Sequence, residues 1–374
     1  MKITELTKQR AQTSAEQLLT QQALRQRSVV VAFVAETPEE QQKLAPVLRR
    51  FNVVYVADHE RNLAILDFNA LAALEAEFSK VFDDAATQAL ASIQRAHQVV
   101  WQAGDFHFDL TTKGLVYAIL NTTPDSFYDG GQYFDEIAVR EHVAEILAHG
   151  ADVIEVGGQS TRPGYTEISS QAEIDRIMPY IKLIQNEFPE AVIAVDTYKP
   201  VVMEAALDAG VSIINDINGF VDDPVKIDLM RQSNVGMVSM LNRRLMDEPI
   251  TYDTVMAVFR DQLQQFKAAG IDLNRVALDP GVGFSTVGNL HNDLALIHGI
   301  SQLNDFQLPV MAAVSNKSYL KKLLDLEKDD RVMMSVVTEA LMYEQGNQII
   351  RVHNVEETDQ MRRLIDNIHE SYLA

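Results

Sequence analysis

Residues 115–131 read LVYAILNTTPDSFYDGG. Six apolar or aromatic residues run straight into Asn121, and a long polar loop follows with Pro124, Asp125, Ser126, Asp129 and paired glycines. A near-continuous apolar run is what a strand covered on both faces requires. A loop this rich in turn and hydrogen-bonding residues does more than reverse the chain. The pattern recurs. DVIEVGG (152–158), AVIAVDT (191–197), SIINDIN (212–218), GMVSML (236–241), RVALDPG (275–281), PVMAAVS (309–315) and QIIRVH (348–353) complete eight such runs.

Segments of helical period separate them. AVREHVAEILAHGA places Val139, Val143, Ile146 and Leu147 on one face and stops at Gly150. EISSQAEIDRIMPYIKLIQ does the same with Ile174, Ile177, Met178 and Ile181, and Ser170 and Glu173 have capping-box spacing. Eight β-then-α units predict an α/β fold, a (β/α)8 TIM barrel over residues 106–374, in preference to an open doubly wound sheet.

Residues 1–105 differ. A polar amphipathic helix over about 5–26, SVVVAFVAE, a helix over 38–49, NVVYVAD, NLAILDF and further helix over 69–98 predict a small α+β N-terminal domain. It carries no phosphate-binding glycine loop and no cluster of histidines or paired carboxylates, so packing or oligomerisation is its expected role. GDFHFDLTTKG (104–114) is expected to form a hairpin plugging the lower end of the barrel.

Composition narrows the function. The chain has 374 residues, 47 % of them hydrophobic, with no cysteine and a net charge of −21. That charge disfavours nucleic acid and anionic membranes as partners. No long apolar run or secretory leader is read, so a cytoplasmic location is expected. An anionic ligand would have to be held by a few local cations.

Barrel active sites lie at the C-terminal ends of the strands. Those ends carry Asn121, Gln159, Asp196, Asn215, Asp216, Ser239, Asp279, Ser315, Lys317, Arg351 and His353. Any one could cap a helix, Asp196, Asp216 and Ser315 especially. Their convergence on one rim is not explained by capping. Asp196, Asn215 and Asp279 suit a flat heterocycle with several N–H groups. Arg351 and His353, two apart on one strand, face the same way and with Asn121 can hold a phosphate-like anion. Lys317 can donate to ligand or leaving group, and the loops after the first two strands suit lids.

Seven ordered motifs, ILNTTPDSFYDGG, VIEVGGQSTRPG, AVDTYKP, IINDING, LDPGVGF, VSNKS and IIRVHNV, resemble those of the dihydropteroate synthase family of pterin-binding barrels, over about residues 106–374. The resemblance implies joining 6-hydroxymethyl-7,8-dihydropterin diphosphate to p-aminobenzoate, with loss of pyrophosphate and with Mg2+. It implies pterin contacts from Asp196, Asn215, Asp279 and Lys317, with catalysis resting on Asp279, Lys317 and Asp196. Asn121, Arg351 and His353 would hold the diphosphate, and Asn121 the metal. Thr161, Arg162, Pro163, Phe284 and Ser318 would shape the aminobenzoate pocket. A homodimer and sulfonamide sensitivity are also implied.

Four positions depart from the family pattern. Gln159 stands for Glu, Ser239 for His, Thr286 for Lys and Asn316 for Arg. Arg243 or Arg244 is a candidate to replace the lost cations. Two rivals stay open here: a pterin binder without turnover, and a methyltetrahydrofolate:corrinoid methyltransferase. The second has no use for Lys317 and the Arg351–His353 pair.

Overall fold

The structure, a computed structural model, describes residues 1–7, 9, 11–25, 28–122, 128–129, 133–159, 165–246, 250–284 and 290–372. The N-terminal part is a four-stranded antiparallel sheet in the order β1-β2-β4-β3, from β1 (Lys2–Glu5), β2 (Ser28–Val34), β3 (Val54–Asp58) and β4 (Arg61–Asp67). Alternation along β2 sets its two faces. Val30 and Ala32 pack with Ala23 and Leu19 of α1 (Ser14–Arg25). Val29, Val31 and Phe33 pack with Leu44 and Leu48 of α2 (Pro38–Arg50), Leu71, Leu74 and Phe78 of α3 (Phe68–Val81) and Leu90 of α4 (Asp84–Ala96).

Two helical expectations here need correction. The helix expected from residue 5 begins at Ser14, because Thr13 Oγ1 accepts the Glu16 backbone N–H, and the residues before it add a strand beside β2. The helix expected over 69–98 breaks at Phe82, where Asp83 accepts the Ala86 N–H and starts a new one.

The expected hairpin forms, starting earlier, from β5 (Val100–Ala103) and β6 (Phe106–Asp109) with Gly104 at the turn in a left-handed conformation. Then follow β7 (Leu115–Asn121), the short antiparallel pair β8 (Tyr128–Asp129) and β9 (Tyr133–Phe134), α5 (Glu136–Ala148), β10 (Val153–Gly157), α6 (Ser170–Glu187), β11 (Val192–Asp196) and α7 (Pro200–Asp208). The chain continues through β12 (Ile213–Asp216), α8 (Pro224–Gln232), β13 (Gly236–Met240), α9 (Tyr252–Ala268), β14 (Val276–Asp279) and α10 (Leu290–His298). It ends with β15 (Met311–Ala312), α11 (Tyr319–Leu324), α12 (Val332–Tyr343), β16 (Ile349–Val352) and α13 (Val355–His369).

The eight predicted barrel strands all form and pair in parallel, in the order β14-β13-β12-β11-β10-β7-β16-β15. A parallel bridge between Leu278 and Val310 joins the two ends and closes the ring. The cap of α6 is Ser169 rather than Ser170; Glu173 is drawn instead into a buried ion pair with Lys199 at 2.8 Å.

The hairpin closes the N-terminal end of the barrel. Trp101, Ala103 and Leu110 pack against Leu115, Tyr117, Val153, Val192, Ile213 and Val238, and the Trp101 indole N–H donates to the Arg275 carbonyl at 2.9 Å. Gly236 permits this approach, since a Cβ there would lie 3.0 Å from the Ala103 methyl. Among the described residues no helix is long and apolar enough to cross a membrane.

Candidate active site

Strand register brings the functional side chains level. Asn121 pairs with Gly157, Gly157 with Asp196, and Asp196 with Asn215, so three strands present polar groups at one height. They open on a cavity of about 340 Å3 at the C-terminal mouth. Eleven residues expected at the site line it: Asn121, Gln159, Asp196, Asn215, Asp279, Phe284, Ser315, Lys317, Ser318, Arg351 and His353. Thr161, Arg162, Pro163 and Thr286 lie outside the described residues, as does most of the 122–131 loop.

One acid lining the cavity, Glu155, sits within a strand rather than at its end. Glu155 is fully buried. Its Oε1 accepts from Arg351 Nε at 2.9 Å and also from Arg351 Nη2, while its Oε2 accepts from Asn215 Nδ2 at 2.9 Å. Arg351 reaches Asp196 Oδ2 as well, at 3.1 Å. The signal was present in the sequence: an acid at an inward position of an otherwise apolar strand.

This network leaves two atoms over. Asp196 Oδ1 and Asn215 Oδ1 are buried and have no hydrogen-bond partner among the described residues. Such acceptors are costly unless something donates to them. Burial, reinforced by the Glu155 charge, pushes the Asp196 carboxyl up to about 8. Burial also raises Asp279, against the pull of Lys317, and its Oδ1 accepts from the Gly281 N–H at 2.8 Å. Lys317 donates to the Val282 carbonyl, and burial lowers its ammonium to about 8 despite Asp279. Arg351 is half-buried and partly desolvated, yet Glu155 and Asp196 hold its pKa above the ordinary guanidinium range.

Of the other strand-end residues, Asp216 and Ser239 serve the fold, while Gln159 lines the cavity and is tied to its neighbours. Asp216 accepts from the Asn218 and Phe220 N–H groups and from Lys226, each at 2.9 Å, so it holds a turn. Ser239 is bonded to Gln262 of α9 at 3.1 Å, outside the cavity lining. Gln159 Oε1 accepts from Lys199 at 2.8 Å and its Nε2 donates to Tyr198 at 3.0 Å. Since Glu173 already neutralises Lys199, a neutral side chain at 159 leaves no unpaired charge there.

The two candidate replacement arginines separate. Arg243 is buried against Asp293 and the Gly281 carbonyl and does not line the cavity. Arg244 lies over the Phe284 ring, 3.8 Å from its centroid, at the mouth. Two further cations do line the cavity, Lys328 and Arg331, from the 3-10 turn Lys328–Arg331. Arg331 donates to the carbonyls of Asn316 and Leu326, each at 3.0 Å. No strand ends there, which is why reading strand ends missed them.

Fold and site together define a pterin-binding barrel, and the comparisons agree: the pterin binding enzyme family matches residues 117–353, and the chain belongs to it. Its relatives within that family include dihydropteroate synthases. That of Bacillus subtilis (strain 168) is 37 % identical over 257 residues, covering 68 % of this chain and 88 % of the relative. That of Escherichia coli (strain K12) is 35 % identical over 258 residues, covering 67 % and 90 %. Among solved structures, Xanthomonas albilineans dihydropteroate synthase with 4-aminobenzoic acid superposes with a TM-score of 0.64 at 31 % identity, over 71 % of this chain and 96 % of that one. Burkholderia cenocepacia dihydropteroate synthase complexed with 7,8-dihydropteroate gives 0.63 at 30 %, over 72 % and 96 %.

Proposed function

We propose that the chain is a dihydropteroate synthase of folate biosynthesis, a transferase that condenses 6-hydroxymethyl-7,8-dihydropterin diphosphate with p-aminobenzoate and releases pyrophosphate. The observation that carries this reading is the pair of orphaned acceptors, Asp196 Oδ1 and Asn215 Oδ1, in one cavity with Asp279 and Lys317. A pterin edge supplies ring N–H and amino donors for them.

In this reading Asp196, Asn215 and Asp279 grip the ring, and Lys317 lies beside it. Asn121 and His353 face the diphosphate, with Arg351 behind them. The C–O bond to the diphosphate breaks first, and the ring and the Asp279 carboxylate stabilise the resulting pterin-methyl cation. The neutral amine of aminobenzoate then attacks the methylene carbon and loses a proton. Phe284 and Ser318 border that amine's pocket, with Thr161, Arg162 and Pro163 assigned there by motif.

Magnesium fits the donor set. Among the described residues no group of three or more acids or histidines is placed to hold a metal ion, and Asn121 offers one exposed strand-end oxygen. Mg2+ commonly takes few protein ligands and completes its shell with phosphate oxygens and water. When bound, it would neutralise charge on the diphosphate.

A cytoplasmic homodimer completes the proposal. Met333, Val337 and Leu341, spaced four apart, are exposed on α12, and Leu364 and Ile368 are exposed on the adjacent α13. Sulfonamides, as aminobenzoate mimics, would compete at the outer pocket. The test is direct: purified protein with Mg2+ and both substrates forms dihydropteroate and releases pyrophosphate in equal amounts. Uptake of pterin diphosphate with no dihydropteroate at any aminobenzoate concentration would refute turnover.

A further inference from the structure

We infer that Glu155 is the positioning residue that sets the hydrogen-bond polarity of the ring pocket, turning Asn215 so that its carbonyl oxygen, not its amino group, meets the ligand. The argument begins with what each group can do. A guanidinium only donates, so the two Arg351 contacts make Glu155 Oε1 an acceptor. The other oxygen, Oε2, receives Asn215 Nδ2 at 2.9 Å. An amide whose nitrogen is tied down presents its oxygen on the other side. That oxygen, Asn215 Oδ1, is the one left buried and without a partner among the described residues.

The same carboxylate acts on a second orphan. Glu155 and Asp196 share the Arg351 guanidinium, which occupies Asp196 Oδ2 and leaves Oδ1 over. One buried acid therefore fixes the Asn215 carbonyl oxygen as an acceptor and leaves one Asp196 oxygen free to meet the ligand, an acceptor once that carboxyl is ionised. Glu155 need not touch the ring. It selects ligands whose facing edge carries donors, and it raises the cost of one whose edge carries acceptors at those points. Its charge also contributes to raising Asp196 and Asp279.

The inference rests on the pterin reading of the cavity, and the experiment separates the two. The probe is 6-hydroxymethylpterin without its diphosphate, titrated calorimetrically. Failure of the parent protein to bind it would overturn the pterin reading and this inference together. Given parental binding, Glu155→Gln tests the inference alone. The substituted amide must turn its oxygen to Arg351, so its nitrogen faces position 215, and the Asn215 side chain must flip to accept from it. The ring then meets a donor where it needs an acceptor, and affinity falls about tenfold to a hundredfold.

Asn215→Asp alone sets two carboxylates face to face and also weakens binding. Combined with Glu155→Gln it restores the pattern: the amide introduced at position 155 donates to one oxygen of the carboxylate introduced at position 215, while the other oxygen faces the ring. The double variant therefore binds the probe about tenfold more tightly than either single one, a recovery that mere structural repair would not confine to the ring. The KM for aminobenzoate stays within about twofold throughout, at saturating pterin diphosphate. Ring affinity within twofold of the parent in Glu155→Gln would overturn the inference. So would a double variant no better than its weaker parent. If Glu155→Gln does not fold, the comparison of Asn215→Asp with the double variant decides.

Discussion

The floor and the mouth of the barrel are built from the same strands, two residues apart. On β10 the inward residues are Val153 and then Glu155; on β11, Val192, Ala194 and then Asp196. On β12 they are Ile213 and Asn215; on β14, Ala277 and Asp279; on β16, Ile349 and Arg351. One pleat step changes a dry apolar layer, sealed by Trp101, into a layer of three acids, an amide and a guanidinium. The floor is held by apolar packing, with one unpartnered polar atom among its described residues, the Tyr117 hydroxyl. The mouth carries the polar groups and leaves Asp196 Oδ1 and Asn215 Oδ1 without partners among the described residues. Stability is concentrated below and chemistry above, so substitutions in the two layers should have opposite signatures.

The largest expected effect is at the mouth. Asp279→Asn keeps the acceptor for the Gly281 N–H but removes the charge facing the cation. Dihydropteroate formation should fall about a hundredfold to a thousandfold, with the thermal midpoint held or raised. Turnover within fivefold of the parent would blur the contrast between the layers. Next comes the floor: Trp101→Ala removes a fully buried indole and its bond to Arg275, and should cost about 3–5 kcal/mol in denaturant unfolding. Its kcat per folded molecule should stay within about threefold of the parent. A selective loss of kcat in this variant would mean that the floor takes part in the chemistry.

The effect of pH is intermediate. Lys317 loses its charge above about 8, and Asp196 gains one over the same range. Both changes oppose an anionic diphosphate, on a chain already at −21. Affinity for pterin diphosphate should weaken about tenfold from pH 7 to 9. The linked stability effect of Asp196 has a definite sign. Its folded-state pKa is raised, so its contribution is full below the ordinary carboxylate range and is lost as pH rises through about 8. Asp196→Asn should flatten that decline in chemical denaturation. The smallest effect is at the rim, where Arg244→Ala removes the cation stacked on Phe284 and should raise the KM for aminobenzoate about twofold to fivefold. A larger change would make Arg244 a direct carboxylate ligand.

The barrel was legible because each strand is apolar on both faces and ends in a polar group, a pattern that survives without tertiary information. The plug was legible from Phe106 and Phe108, which have no other core to join. The break at Phe82 and the strand Lys2–Glu5 were not, since a cap and a neighbouring strand override weak local periodicity there. In the site, Asp196, Asn215, Asp279, Lys317 and Arg351 were readable as strand ends. Glu155 was hidden within a strand, and Lys328 and Arg331 reach the cavity from a turn that periodicity does not predict. Arg243 was misleading as a candidate replacement because its partner, Asp293, lies 50 residues away.

The most direct test of the central claim is a crystal structure with pterin diphosphate and Mg2+ bound. The account predicts ring donors within hydrogen-bond distance of Asp196 Oδ1 and Asn215 Oδ1, Asp279 along the same edge, and the diphosphate beside Asn121 and His353. A ring seated elsewhere, with those two oxygens still unpartnered, would contradict it.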